Sequence, residues 1–264
     1  MHLVNPSGLA WENRRVKNDY RDCCDLLDRM RLGKLPEAWI APHAVRELRE
    51  LVRYRARLVG LRTGLKAQLK ATLAKHNARP PVKDLWGVTG PRWLDQLQLP
   101  KAYMVRIDSL RDLVEAYDRE IDMLEREIHA ELKGHAGYRA IQAIPGIGKT
   151  IGAIMVAEIG DITRFKTPEA LCSWAGLTPK QRDSDIKVRR GRITKQGSKL
   201  VRWAAIEAVT NLSGSHLKDD YDRLLQRRPK QVARVAVARK LLVLVFYGLR
   251  DGHIRSLAPE RKAG

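Results

Sequence analysis

"AIPGIGKTIGAIMVAEIGD", residues 143–161, decides how this chain is read. Ala143, Gly148, Lys149 and Thr150 fit a relaxed phosphate-loop pattern, A-x-x-x-x-G-K-T. The same stretch holds Pro145-Gly146-Ile147-Gly148, a tight turn suited to a helix–hairpin–helix that grips a nucleic-acid backbone. A phosphate loop needs a buried strand before it, so that its N–H groups meet a helix N-terminus. The preceding residues, "GHAGYRAIQ", lack a β-branched run, and no apolar strand ending in a magnesium-binding Asp follows. The hairpin fits better. Glycines let backbone approach a phosphate closely. The turn's N–H groups and the next helix present a positive dipole to it. Lys149 adds charge. A packing hairpin without ligand stays open beside this reading; the NTP site is the weakest of the three.

The surrounding composition favours nucleic acid. Across 264 residues, 50 Lys+Arg stand against 30 Asp+Glu, a net charge of +20. Such an excess repels itself unless a polyanion shares the space. An anionic membrane is a weaker partner, since no apolar run approaches the ~18 residues of a transmembrane helix. "MHLVNPSGLAWENRR" has no apolar core and does not read as a signal peptide. Cys23, Cys24 and Cys172 form neither a disulfide framework nor a Cys-rich zinc site. A reduced cytoplasm is the expected setting.

Working outward, "HLV" at residues 2–4 reads as one short strand ended by the turn cluster Asn5-Pro6-Ser7-Gly8. A helix starts near Lys17-Asn18-Asp19 and stops at Gly33. From His43 to about Asn77 the pattern is helical and basic, with Leu48, Val52, Leu58, Leu65, Leu69 and Leu73 on its apolar side. Its charges read equally as a solvated face or as a backbone-binding helix. Residues 77–93 are Pro/Gly-rich and read as a boundary or ordered loop. Ile107, Leu110, Val114, Tyr117, Ile121, Leu124 and Ile128 then form a heptad seam. It reads as a coiled-coil arm rather than an ordinary core helix, and the seam does not say which chain supplies the partner. Ile151–Ile159, a run beginning at Pro168, 200–212 and 232–249 read as further helices. The segment 180–202 is basic and Gly-punctuated, and alternating strand–helix signals are absent.

Three stretches taken in order resemble the insertion sequence 110 family of DEDD transposases, the bridge-RNA-guided recombinases of bacterial mobile elements. They are "VKNDYRDCCDLLDRMRLGKL", "IPGIGKTIGAIMVAEIGDITRFKTPEALCSWAGLTPKQ", and "GRITKQGSKLVRWAAIEA" with the later "VARKLLVLVFYGLRDG". The resemblance implies a mainly α chain in three parts. Residues 1–80 are a remnant of an RNase H-like (RuvC-like) α/β domain. Residues 81–134 are a linker and coiled-coil arm. Residues 135–264 are a C-terminal transposase domain with the helix–hairpin–helix and a serine loop. It also implies four metal-binding acids and a serine nucleophile. Asp19 and Asp22 match the last two acids, and Ser184 matches the serine by its position after "GLTP". The two carboxylates stand at i and i+3, able to reach one Mg2+.

Two departures shape the functional expectation. The strand-rich segment that carries the family's first two acids is expected upstream of "HLVNP", so the chain reads as N-terminally truncated. Asp185 follows Ser184 where the family usually has Gly, placing negative charge beside the attacked phosphate. The implied function is DNA transposition, impaired here by half a metal site. The alternative is a DNA- or RNA-binding fragment that does not cut. Nucleic-acid contacts are expected from Gly146, Gly148, Lys149, Lys180, Lys187, Arg189, Arg190, Arg192, Lys195 and Lys199, and from the basic helix over residues 46–75. The expected partners are DNA, a guide (bridge) RNA and further copies of the chain, a dimer or tetramer through the arm.

Overall fold

The computed structural model describes residues 2–9, 18–184 and 187–257; at residues 7, 181–184 and 187–190 it describes backbone only. The chain divides by its internal contacts into Met1–Arg46 and Glu47–Gly264.

In the first unit, helix α1 (Asp19–Arg31) begins at Asn18, whose side chain accepts a hydrogen bond from the Tyr20 N–H. This is the usual N-cap device for an orphan helix donor. Asp19 and Asp22 fall in its first turn, where carboxylates meet the positive end of the helix dipole. Instead of a full strand at residues 2–4, Val4 makes one isolated antiparallel bridge to Glu37, flanked by Asn5 N–H to Pro36 O and Ala38 N–H to Leu3 O. A single bridge is what remains when no neighbouring strand extends the ladder.

In the second unit, helix α2 (His43–Lys75), which starts in the first unit, continues alongside α4 (Lys101–Leu132). The two run antiparallel. Leu69 and Leu73 cluster with Ile107 and Leu110, Leu58 with Ile121 and Leu124, and Leu48 and Val52 with Ile128 and Leu132. The heptad seam therefore finds its partner inside the chain. Each fully buried Leu or Ile on it contributes roughly 1.5–3 kcal/mol relative to exposure. Charge reinforces the pairing. Arg55 of basic α2 meets Glu125 of acidic α4 at 2.5 Å, and Arg62 meets Asp118. Between the two helices, residues 77–93 contain the start of a short helix, α3 (Thr89–Asp95), whose Leu94 packs with Leu85 into the open end of the pair. Its Gly-Pro composition hides a helix that tertiary burial imposes.

The rest of this unit is built around two helices. Every residue of α6 (Lys149–Ile159) from Ile151 onward is buried, as expected of a helix apolar all round. The long α10 (Lys230–Asp251) packs against α5 (Ala136–Ile141), α7 (Pro168–Trp174), α8 (Lys199–Thr210) and α9 (His216–Leu225). Strands β1 (Pro179–Ser184) and β2 (Lys187–Ile193) form an antiparallel two-stranded ribbon between α7 and α8.

One buried carboxylate ties these pieces together. Glu158, 4% exposed, accepts bonds from Arg53 Nε at 2.7 Å, Arg53 Nη2 at 3.1 Å and the Ser198 hydroxyl at 2.9 Å. Arg49 donates to the Ala157 and Glu158 carbonyls, while Ser198 also caps α8 by accepting the Val201 N–H. Burial alone would raise the Glu158 pKa, but the hydrogen bonds from Arg53 and Ser198 and the charges of Arg53 and Arg49 hold it below the usual carboxylate value.

A folded-state pKa below the unfolded one adds stability that is present above the unfolded value, about 4.3, and lost as pH falls through the folded value. Glu158→Gln is therefore expected to lower unfolding free energy at neutral pH by about 1–3 kcal/mol, with half-exposed Arg53 pulling the figure toward the lower end. The gap between wild type and variant should close as the pH drops below about 4. Denaturant titrations at several pH values measure this; a gap that stays constant into acid contradicts it.

Candidate nucleic-acid interface

The turn between α5 and α6 begins where α5 runs out. Ile147 N–H bonds to Ile144 O at 3.0 Å, with Pro145 and Gly146 between them and Gly146 at φ 86°. Proline at the second position and positive φ at the third describe a type II turn. The residues leading into it, Ala136–Ile141, are helical. The strand that a phosphate loop requires is replaced by a helix. Thr150, which in such a loop would hold magnesium, donates to Glu125 Oε1 at 3.3 Å.

The two glycines of this turn have different reasons to be glycine. A Cβ on Gly146 would lie 2.2 Å from the Ala208 carbonyl oxygen of α8. Together with its positive φ, this makes Gly146 a packing requirement. Gly148 is extended, at φ −86° and ψ −175°, and a Cβ there would meet nothing within 4 Å. Folding does not demand glycine at this position. Gly148 is also the N-cap of α6 and provides no capping side chain, whereas Ser198 caps α8 and Thr167 caps α7. The first N–H groups of α6 thus lack side-chain acceptors at an exposed corner, beside exposed Lys149. They face an open concavity of ≈ 510 Å³ lined in part by Gln142, Ala143, Lys149 and Asn211. Backbone donors at a helix start suit an anionic oxygen.

The second basic element is the ribbon. Its root is held firmly. Thr194 N–H bonds to Thr178 O and Lys195 N–H to Gly176 O, and the Arg202 Nη1 donates to both Ala175 O and Gln196 O. Gly176 and Gly197, both at positive φ, let the two sides touch: a Cβ would lie 2.3 Å from Gln196 O and 1.7 Å from Trp174 O, respectively. Lys180, Arg192, Lys195 and Lys199 are exposed around this root. Lys187, Arg189 and Arg190 lie on β2, and Ser184 ends β1 opposite Lys187. Asp185 lies outside the described residues. Ser184 therefore occupies a strand end, where the sequence pattern suggests a loop. Asp19 and Asp22 remain neighbours on α1 of the first unit. Among the described residues, no group of three or more His, Cys, Asp or Glu gathers in a metal-binding arrangement.

The basic run of α2 is divided. Arg49 and Arg53 serve the Glu158 site, Arg55 and Arg62 bind acids of α4, and the Lys66 ammonium sits 4.7 Å from the Trp86 ring centroid. Arg46, Arg57, Lys70 and Lys75 stay exposed. The acids Glu125, Asp118 and Glu158 that pair with this run lie 56 to 105 positions away in sequence, beyond the range of any helical-spacing rule. Arg164 carries no signal in the sequence that would single it out. It stacks on Phe165 and Trp174 at 4.2 and 4.6 Å, and burial, reinforced by the charge of Arg49, lowers its pKa to about 10.

Residues 138–223, which contain the turn, the ribbon and α6–α8, match the family model described as "Transposase IS116/IS110/IS902 family". The chain is 28% identical over 255 residues to a "Probable family 20 transposase" of Pseudomonas aeruginosa, covering 91% of this chain and 74% of that protein. It is 29% identical over 136 residues to the "Transposase for insertion sequence element IS1111A" of Coxiella burnetii, covering 49% and 37%. An "Insertion element IS110 uncharacterized 43.6 kDa protein" of Streptomyces coelicolor is 27% identical over 149 residues, covering 55% and 37%. The chain thus spans a little over a third of the last two relatives. Over residues 138–223 the chain is thus similar to transposases of the IS116/IS110/IS902 family.

Gly146→Ala is expected to destabilise the chain by roughly 1–3 kcal/mol or more, through strained φ and a backbone clash. Gly148→Ala is expected to cost less, up to about 1 kcal/mol for replacing a glycine N-cap by alanine, yet weaken DNA binding, because a methyl group then stands before the α6 N–H groups. Unfolding midpoints and a DNA-binding titration of both variants check this. A Gly148→Ala protein with wild-type affinity removes the α6 corner from the interface.

Proposed function

We propose that this chain is the transposase of a bacterial insertion sequence, a DNA recombinase that cuts and rejoins strands with Ser184 as nucleophile. The carrying observation is the family match over residues 138–223, the segment that contains Ser184 and both basic elements. The net charge of +20 suits a polyanionic substrate. Among the described residues, no helix is long and apolar enough to cross a membrane.

In this reading the α6 corner and the ribbon hold the DNA backbone. Their cations and N–H groups lower the local cost of bringing a hydroxyl to a charged phosphodiester. The Ser184 oxygen bonds to phosphorus, a sugar oxygen departs with a proton, and the serine proton is lost to a base or solvent. Rejoining reverses the step, with an incoming sugar hydroxyl displacing Ser184. Asp19 and Asp22 are two hard carboxylates one turn apart on α1, a donor type that suits Mg2+. These two residues would hold the ion, which would supply charge neutralisation to a phosphate. A guide RNA and further copies of the chain complete the proposed complex. Because α2 covers the seam of α4, assembly through the arm falls to outward side chains such as Val105, Leu113 and Met123.

A second reading keeps the same basic elements and net charge of +20 without strand cutting: the chain binds nucleic acid only. One assay separates the two. The chain is incubated with element-end DNA, guide RNA and magnesium, then run on a denaturing gel. The transposase reading expects a covalent protein–DNA band, abolished by Ser184→Ala while DNA binding persists. Tight, salt-sensitive binding with no band selects the non-cutting reading.

A further inference from the structure

The register of the ribbon places like charges directly across from each other. Arg182 pairs with Arg189 and Ser184 with Lys187, while Gln181 pairs with Arg190 and Asp183 with Val188. Directly opposed residues share a face, and so do residues two apart along a strand. One face therefore carries Arg182, Ser184, Lys187 and Arg189, with no acid among these paired positions. The other carries Gln181, Asp183, Val188 and Arg190, where charge is balanced. Arg190 thus stands apart from Lys187 and Arg189.

This arrangement works against the ribbon on its own. Directly opposed like charges destabilise a strand pair. A two-stranded ribbon is marginal in water to begin with, and among the described residues neither strand packs extensively on another element. An anion shared across the strands reverses the sign of the Arg182–Arg189 contribution. The clamped root at residues 174–178 and 194–202 meanwhile fixes where the ribbon leaves the helical body. The ligand is thus a polyanion reached by a rigidly rooted, two-stranded arm. The B-DNA major groove admits such a ribbon. The major groove of A-form RNA is too deep and narrow for it.

We propose that the face of the β1–β2 ribbon bearing Arg182, Lys187 and Arg189 lies along the major groove of a DNA duplex, with these three cations on phosphates flanking Ser184. The proposal rests on the transposase reading, and it adds Arg182 as a DNA contact and selects one ribbon face. The test measures affinity against salt for a mixed-sequence DNA duplex and for an RNA duplex of the same sequence. Arg182→Ala/Lys187→Ala/Arg189→Ala should flatten the log–log salt slope on DNA by up to about 2.7, near 0.9 for each phosphate no longer neutralised. Lys101→Ala/Arg106→Ala/Arg119→Ala removes the same charge from exposed positions on α4 and should leave the slope unchanged. Arg182→Gln/Arg189→Gln preserves hydrogen-bonding side chains and should reproduce most of the effect if the triple variant folds poorly. Hydrogen exchange of the ribbon amides should slow when DNA is added to wild type and not when it is added to the triple variant. Equal slope changes from the ribbon and α4 variants overturn the proposal, as does an equal effect on RNA. A wild type that binds neither duplex instead sinks the transposase reading on which it rests.

Discussion

Glu158 is a carboxylate buried where three helices of the second unit meet, and a lone buried charge would be expelled or neutralised. It remains ionised because Arg53 from α2 and Ser198 from the start of α8 supply three hydrogen bonds to it. Arg49 adds a second tie by bonding the last carbonyls of α6, where a cation also meets the negative end of the helix dipole. This one site fixes α6 against α2 and orients the start of α8. The Ala208 carbonyl of α8 in turn presses on Gly146, and Arg202 of α8 clasps the ribbon root. Both basic elements of the candidate interface therefore depend on one carboxylate, at the far end of α6 from the open corner and bonded to Ser198 beside the ribbon root.

The helical pair of α2 and α4 applies the same logic on a larger scale. Complementary charges flank an apolar seam, so α4 accounts for part of the α2 basicity and fixes the register of the two helices. A uniform run of positive charge suggests a continuous nucleic-acid surface. The fold instead divides it into structural arginines and exposed ones, and leaves positive charge open to solvent at the α6 corner and around the ribbon root. The reason is energetic. Arginines against acids on a packed seam are partly desolvated and held, whereas cations on an exposed, rooted ribbon stay available to phosphates.

Much of this was legible in the chain. Proline, glycine and the residues before them foretold a turn between helices at 145–149, and the apolar spacing located α1, α2, α4, α6, α7, α8 and α10 within a few residues. Elements without such a signal were missed. Strands β1 and β2 show no apolar alternation, so "KQRDSDIKVRRGRI" reads as a charged loop. Helix α3 carries Gly and Pro in its first turn, and only the packing of Leu94 on Leu85 accounts for it. For the candidate site the sequence offers residue types near "GLTP" and "PGIG" without their geometry.

The sequence by itself determined helical periodicity, net charge and the conformation of the Pro145-Gly146 turn, since these depend on near neighbours and on composition. Tertiary structure alone decided which arginines meet acids, that the heptad seam is filled by α2 of the same chain, and that Gly146 serves packing while Gly148 leaves a helix end open. It also decided that Arg182 stands opposite Arg189. Such pairings join residues that sequence distance does not constrain, and they are selected by burial and charge neutralisation in the folded chain.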